Sequence, residues 1–370
     1  MKRGARGLRV LLTADSVGGV WTYALDLAAG LAAKGAEVII AHMGLPPTEP
    51  PALSDGVEIV FTGLPLDWGD VDADALSSAG QALADLTRVR DVDLVHLNSP
   101  ILAADVAFHV PVVGGCHSCV ATWWDAVEGH RPLPADFIWR TDRLRAGYAA
   151  CDALIAPTRS FAEATTGRYG QPCQVVWNGR TPPSTGPLSG PRRPVAVTAG
   201  RLWDPAKGAA TLDTAAGKMR ARVEAAGPLA NPFDPRPVSF AHLNLLGRLS
   251  PGEVAELLSN SAAFVSAARY EPFGLSVLEA AQAGCALVLS DLPVFRELWD
   301  GAAVFVDPTD TSALAETLDA LLDDPAETRR LGELAHTRAG RFSLDVMLAG
   351  TLAIYADVLD RAARPSEAAA

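Results

Sequence analysis

Three short stretches of this chain carry residue types suited to a phosphorylated ligand. In Ala199-Gly200-Arg201-Leu202-Trp203-Asp204-Pro205-Ala206-Lys207-Gly208, an arginine ends an apolar run and a lysine precedes a predicted helix. The two cations can converge on one point, and a guanidinium fork beside a compact ammonium suits a pyrophosphate; the alternative is two solvated surface cations. In Arg269-Tyr270-Glu271-Pro272-Phe273-Gly274-Leu275-Ser276-Val277-Leu278-Glu279, Pro272 biases Glu271 out of helical geometry, while Gly274 and Leu275 open a helix. Bare amides at Gly274 and Leu275 can hold phosphate, and Glu271 can accept hydrogen bonds from hydroxyls carried beyond it. Glu279, a turn inside the helix, can accept from a ribose; an ordinary exposed helix residue is the competing reading. The third stretch, Asp15-Ser16-Val17-Gly18-Gly19-Val20, places two glycines where a backbone can approach a ligand closely. It lacks both the G-x-G-x-x-G spacing of a dinucleotide fold and the G-K-[ST] of a P-loop, and a plain tight turn would use the same glycines.

Short apolar runs alternating with helical stretches must position these loops, which is the pattern of βαβ units around a buried parallel sheet. Strands are predicted at 8–14, 38–42, 57–62, 94–97, 110–114 and 153–156, with helices at 20–34, 74–88 and 134–150, the last amphipathic and exposing several arginines. Residues 181–194, TPPSTGPLSGPRRP, are rich in Pro, Gly and Ser and read as a linker. The rhythm restarts with strands at 194–199, 222–226, 238–246, 263–266, 286–289 and 302–306, and helices at 312–322, 326–339 and 343–362. Four segments follow: an N-terminal Rossmann-like domain (1–180), the linker (181–194), a second Rossmann-like domain (195–342) and a C-terminal helical segment (343–370) expected to pack back on the first domain.

The chain has 370 residues, 31 Lys and Arg against 43 Asp and Glu, and a formal net charge of −12. Length favours two domains, and the excess of acid argues against nucleic acid as a partner. Five scattered cysteines make no disulfide framework and fit a reducing compartment. The basic start is followed by an apolar run that breaks at Asp15, too short for a signal peptide, and no stretch approaches the ~18 consecutive apolar residues of a membrane span. A cytoplasmic protein with no integral membrane segment is the expectation.

With these residues in place, the sequence resembles the retaining glycosyltransferases of family 4. The most specific feature is Glu271-x7-Glu279, written EPFGLSVLEAAQAGCALVLSD and followed by Glu297; the AGRLW…K pattern, the Gly18-Gly19 loop and CDALIAPTRSFAEA…YG…QVVWNG, ending at Asn178-Gly179, support it. The resemblance runs over nearly the whole chain. It implies a GT-B architecture, two Rossmann-like α/β domains whose parallel sheets face each other across a cleft. It further implies that a nucleoside diphosphate sugar, UDP- or GDP-linked, lies against the C-terminal domain and an acceptor sugar or small molecule against the N-terminal one.

Under that resemblance Arg201 and Lys207 neutralise charge on the leaving diphosphate, Glu279 holds the ribose, and Glu271 the donor-sugar hydroxyls. The amides around Phe273, Gly274 and Leu275 take the phosphates and sugar, Arg248 and Leu249 lie near the base, and Gly227, Gly18 and Gly19 complete the donor side. His117 falls where the family has a histidine facing the transferred sugar, although Ser118 stands where many relatives have aspartate. Trp21, Tyr23, Trp123 and Trp124, with Trp139 nearby, concentrate aromatic surface on the proposed acceptor face, and His96 is assigned to the same group; core packing explains any one aromatic equally well. No cofactor and no metal are expected: Asp70, Asp72, Asp74, Asp91 and Asp93 read as solvated acidic segments, and Cys116-x2-Cys119 lacks a second ligand pair for zinc. A GT-B sugar-nucleotide epimerase and a non-catalytic sugar-nucleotide binder are the alternatives.

Overall fold

The computed structural model describes residues 7–47, 50–182, 190 and 192–364. They divide into two compact units, one containing the residues up to Asp125, Gly129–Gly179 and those from Leu344, the other 126–128 and Arg180–Ser343. Most of the expected linker, 183–189 and 191, and the end of the C-terminal segment, 365–370, lie outside the described residues.

The first unit runs β1 (Arg9–Asp15), α1 (Gly19–Ala33), β2 (Glu37–Met43), β3 (Val57–Phe61), α2 (Ala73–Val89), β4 (Leu94–Leu97), β5 (Val112–Gly115), α3 (Val120–Val127), α4 (Ala135–Ala150), β6 (Ala153–Ala156), α5 (Arg159–Tyr169) and β7 (Gln174–Val175). The second runs β8 (Arg193–Ala199), α6 (Ala209–Ala216), β9 (Val223–Ala226), β10 (Asn244–Gly247), α7 (Pro251–Asn260), β11 (Ser261–Ser266), α8 (Leu275–Gln282), β12 (Ala286–Ser290), α9 (Pro293–Trp299), β13 (Val304–Val306), α10 (Thr311–Asp323) and α11 (Pro325–Ala339). Helix α12 (Leu344–Ala362) then belongs to the first unit again.

Strand order is β3-β2-β1-β4-β5-β6-β7 in one sheet and β10-β9-β8-β11-β12-β13 in the other, with every named pair parallel. Sheets covered on both faces need strands apolar on both faces, hence runs such as Val10-Leu11-Leu12 and Leu287-Val288-Leu289, all buried. The strand order reverses at β1/β4 and at β8/β11. Loops leaving the carboxyl ends of two such strands diverge and leave a crevice, so these two edges are where an open α/β sheet binds its ligand.

The clearest sequence-level misreading is the strand expected over 238–246, which shrinks to Asn244–Gly247; only Leu243 and the residues just after it meet the sheet. Strand β8 begins at Arg193, inside the expected linker, and the Arg193 guanidinium is held by Glu224 at 2.8 and 2.9 Å. Helix α4 does not simply expose its arginines. Arg140 is buried, donating to the carbonyl oxygens of Asp67, Gly69 and Val71, and Arg143 reaches Ser77 Oγ at 2.8 Å. Arg140 turns inward because a loop without internal ladder bonds leaves carbonyls that need donors.

An 18-residue window in the 325–362 stretch reaches a mean hydropathy of 1.6, long and apolar enough by composition to cross a bilayer, although Asp345 and Asp357 keep it from being a run of consecutive apolar residues. In the structure α12 spends that apolarity on the first unit's core. Met347, Leu348, Ile354, Tyr355 and Val358 are buried with Leu27, Leu31 and Ile40, each such side chain contributing about 1.5–3 kcal/mol by leaving water. Gly30 admits Leu344 and Leu348, which would stand 3.4 Å from a Cβ there.

Candidate functional site

At the β8/β11 switch point of the second unit, the two loops carrying the expected cations and carboxylates are tied together. The Arg269 amide donates to Ala206 O at 2.8 Å, so the loop after β11 lies on the turn holding Lys207. Lys207 Nζ is 2.5 Å from Glu271 Oε2, and both side chains are largely buried. Arg201 is held by Asp204 at 2.9 Å, with its guanidinium 5.6 Å from the Trp203 ring centroid. Glycines allow this closeness. A Cβ on Gly208 would stand 1.9 Å from Ala267 O, and one on Gly227 1.7 Å from Gly200 O; both have positive φ, where a side chain is strained anyway.

Helix α8 opens from Gly274 at φ 93° with no side-chain cap. Helix α1 opens in the same way from Gly18 at φ 110°. Helices α4, α6 and α9 likewise open without a side-chain cap, whereas Asp72 caps α2, Thr158 α5, a Ser250/Glu253 capping box α7, Asp310 α10 and Asp324 α11. The uncapped tip of α8 leaves its first N–H groups available to an anion, and the helix dipole favours one there. Glu271 connects the parts, since its Cγ would stand 3.5 Å from a Cβ at Gly274 while its carboxylate holds Lys207. Glu279, on the first turns of α8, is ion-paired with Arg180, whose backbone amide donates to Phe342 O at 3.2 Å.

The β1/β4 edge of the first unit is built from weaker dipoles. His117 Nε2 lies 2.8 Å from Asn98 Oδ1, and its ring makes an edge contact with Tyr23 at 4.6 Å. Burial pushes the His117 imidazole down to about 4, so it is neutral near pH 7. Asp67, in the loop after β3, accepts from Ser99 Oγ at 3.3 Å, and burial, with the charge of Asp15 second, pushes its carboxyl up to about 6.

The expected acceptor residues do not act as one group. His96 is fully buried on β4 with Nδ1 2.7 Å from the Tyr355 hydroxyl on α12, so it lines no accessible surface; this corrects its assignment to the acceptor side. A polar residue inside a strand reads as a ligand contact until the helix that satisfies it is seen. Tyr23 is 4% and Trp124 9% exposed. Trp124 donates to Arg131 O at 3.0 Å and packs edge-on against Phe137, a structural role. Trp21 and Trp123 are half-buried, and Trp139 donates to Asp136 at 2.7 Å.

On the donor side, Phe273 is buried under α8, against Phe342. Gly227 stands at the end of β9, its amide donating to Gly247 O at 2.7 Å, and Arg248 is exposed just past the edge strand β10 with Leu249 half-buried beside it. Gly19 is the first residue of α1. Of the Asp-x-Asp strings, Asp72 caps α2 and Asp93 accepts from the Arg9 amide at 2.8 Å. No group of three or more His, Cys, Asp or Glu suited to a metal ion occurs among the described residues.

Sequence reasoning missed Arg180, Asp204, Asp67 and Asn98. Asp204 sits inside the AGRLWDPAK stretch already singled out, and Asn98-Ser99 directly follows the apolar run Leu94–Leu97, where polar residues at a strand's carboxyl end signal a site. Nothing in the text pairs Arg180 with Glu279, 99 residues away.

Comparison with known proteins agrees with this layout. The family model Glycosyltransferase Family 4 matches residues 17–182, and Glycosyl transferases group 1 matches 240–338. The alpha-maltose-1-phosphate synthase of Mycobacterium tuberculosis is 29% identical over 347 aligned residues, covering 76% of this chain and 85% of that protein. Among solved structures, sucrose-phosphate synthase from Thermosynechococcus elongatus superposes with a TM-score of 0.79 at 19% identity, covering 96% of this chain and all of the other. The Anabaena protein HepE in complex with UDP-glucose gives 0.68 at 17% identity, covering 95% and 99%. Both sheets are of GT-B type, and the matches over 17–182 and 240–338 support a glycosyltransferase of the family 4 type.

Proposed function

We propose that the protein transfers a hexose, with retention of configuration and without a metal ion, from a UDP- or GDP-linked sugar to a hydroxyl of a sugar or small molecule. The observation that carries this reading is the Lys207–Glu271–Gly274 arrangement: a cation, a carboxylate and an uncapped helix tip meet at the β8/β11 switch point. A diphosphate held there gains charge as its bond to C1 breaks. Lys207, Arg201 and the α8 amides oppose that charge, and preorganised donors of this kind usually supply the largest share of catalysis. The acceptor oxygen bonds to C1, the C1–oxygen bond to diphosphate breaks, and the acceptor proton passes to a diphosphate oxygen, so no protein nucleophile is needed. Glu271 orients donor-sugar hydroxyls, and Glu279, exchanging Arg180 for a ribose, orients the nucleoside. UDP-glucose is the first donor to test, because a structural neighbour is seen with it.

The test is incubation with UDP- and GDP-hexoses and an acceptor panel, with the anomer of any product read by NMR. Sugar transferred with retained configuration in EDTA is the expected result. Inverted product, or metal-dependent turnover, overturns the corresponding part of the proposal. A changed sugar still attached to its nucleotide identifies an epimerase, and nucleotide binding with no turnover identifies a binding protein.

A further inference from the structure

We propose that Asn98 is a positioning residue that fixes the tautomer of His117, so that imidazole Nδ1 offers a lone pair to a substrate hydroxyl; the role of that hydroxyl rests on the glycosyl-transfer reading above. The orientation of the Asn98 carboxamide is decided by β1. Its backbone amide donates to Thr13 Oγ1 at 2.8 Å and its Nδ2 donates to Thr13 O at 2.6 Å. A backbone carbonyl can only accept, so the NH2 end must face it, which turns Oδ1 toward His117 Nε2 at 2.8 Å. An amide oxygen also only accepts, so Nε2 carries the proton. Burial keeps the ring neutral down to about pH 4, and a neutral imidazole with its proton on Nε2 has an acceptor at Nδ1. Among the described residues Nδ1 has no hydrogen-bond partner, and the residue is half-buried rather than sealed.

A second observation, independent of hydrogen-bond assignment, supports the same unit. A Cβ on Gly115 would stand 2.8 Å from His117 Nε2 and 2.9 Å from Asn98 Oδ1, so the bond passes directly over Gly115 and a side chain there would push one or both partners away. Packing locks the loop behind Asn98: Cβ atoms on Gly80 of α2 and Gly147 of α4 would stand 2.2 Å from Leu102 O and Pro100 O, so both helices press on the turn that follows. The titratable groups facing the imidazole are Tyr23 on α1 and His96 on β4. Burial raises the first and holds the second neutral down to about pH 3, so neither contributes charge near neutrality. A point that offers a lone pair and no proton takes a group with a hydrogen to donate. It favours a hydroxyl over a phosphate or carboxylate oxygen at that position.

The test uses the full chain labelled with [15N]histidine. Long-range 1H–15N correlation spectra, with the His117 signals identified by their loss in His117→Gln, should show a protonated Nε2 and a pyridine-type Nδ1 between pH 6 and 8. The Nδ1–H tautomer in the wild-type chain overturns the proposal, whatever the protein's activity. Asn98→Ala should lose the tautomer preference and reduce kcat about tenfold at unchanged donor KM, the size of one neutral hydrogen bond. Asn98→Asp puts a carboxylate against Nε2–H and should raise the imidazole pKa by about 1–3 units. Protonation removes the Nδ1 acceptor, so kcat/KM gains an acid limb that the wild type lacks; an unchanged pH profile overturns the proposal. Should the wild-type chain turn over no nucleotide sugar, the functional reading fails while the tautomer spectra still decide the role of Asn98.

Discussion

The two switch-point edges solve different problems with the same βα architecture. At the second unit's edge, the functional side chains are charged and each is held by an opposite charge: Lys207 by Glu271, Arg201 by Asp204, Glu279 by Arg180. At the first unit's edge the imidazole is neutral and held by dipoles and packing, with His117 between Asn98 and Tyr23. Under the proposed function the carboxylates keep these cations in geometry until a polyanion arrives, since free ammonium groups would spread over many rotamers. A histidine that must stay an acceptor is kept from protonation by burial. One edge is organised for charge, the other for hydrogen-bond direction.

Lys207→Ala should break the first half of that contrast most severely, with kcat falling about 10²–10³-fold, as for loss of one preorganised donor, and little change in thermal melting. Near-normal turnover would remove Lys207 from the site and leave Arg201 and the α8 amides to act alone. Gly227→Ala tests whether the charged edge depends on backbone proximity. With its Cβ directed 1.7 Å from Gly200 O, the variant should lose about 3 kcal/mol of stability, seen in chemical denaturation; wild-type stability would mean that β8 and β9 part easily. Asp67→Asn probes the first unit's edge and should have the smallest effect. A carboxyl whose folded pKa is raised from 3.8 to about 6 binds a proton more readily folded than unfolded, so wild-type stability should fall as pH rises from about 4 to 6. The asparagine variant should lose that slope and melt higher at pH 7, by on the order of 1 kcal/mol. An unchanged slope would show that Asp67 is solvated.

Much of the second edge was legible because its residues are local. Arg201, Lys207, Glu271, Gly274 and Glu279 sit in two short stretches, each spanning a strand end and a helix start, and the chemistry of each stretch could be read from its own text. Partners across distance were not legible. Arg180 meets Glu279 only because the chain returns past Phe342, and Asn98 meets His117 only because β4 and β5 are neighbours in register. Tyr23, Trp124 and His96 on the first unit proved to be buried, which their text does not reveal, for a related reason. A tryptophan or histidine in a helix or strand has the same text whether it faces solvent or a neighbouring helix, and for His96 it is Tyr355, 259 residues later, that accounts for it.

By itself the amino-acid sequence determined the alternating βα pattern, the glycine-opened helices and the two loops bearing cations and carboxylates, because apolar periodicity, φ requirements and local charge act within a few residues. Tertiary structure alone decided which charges pair, which nitrogen of His117 carries its proton and which aromatics see solvent. Those depend on distances and burial between elements far apart in the chain, which no local pattern encodes.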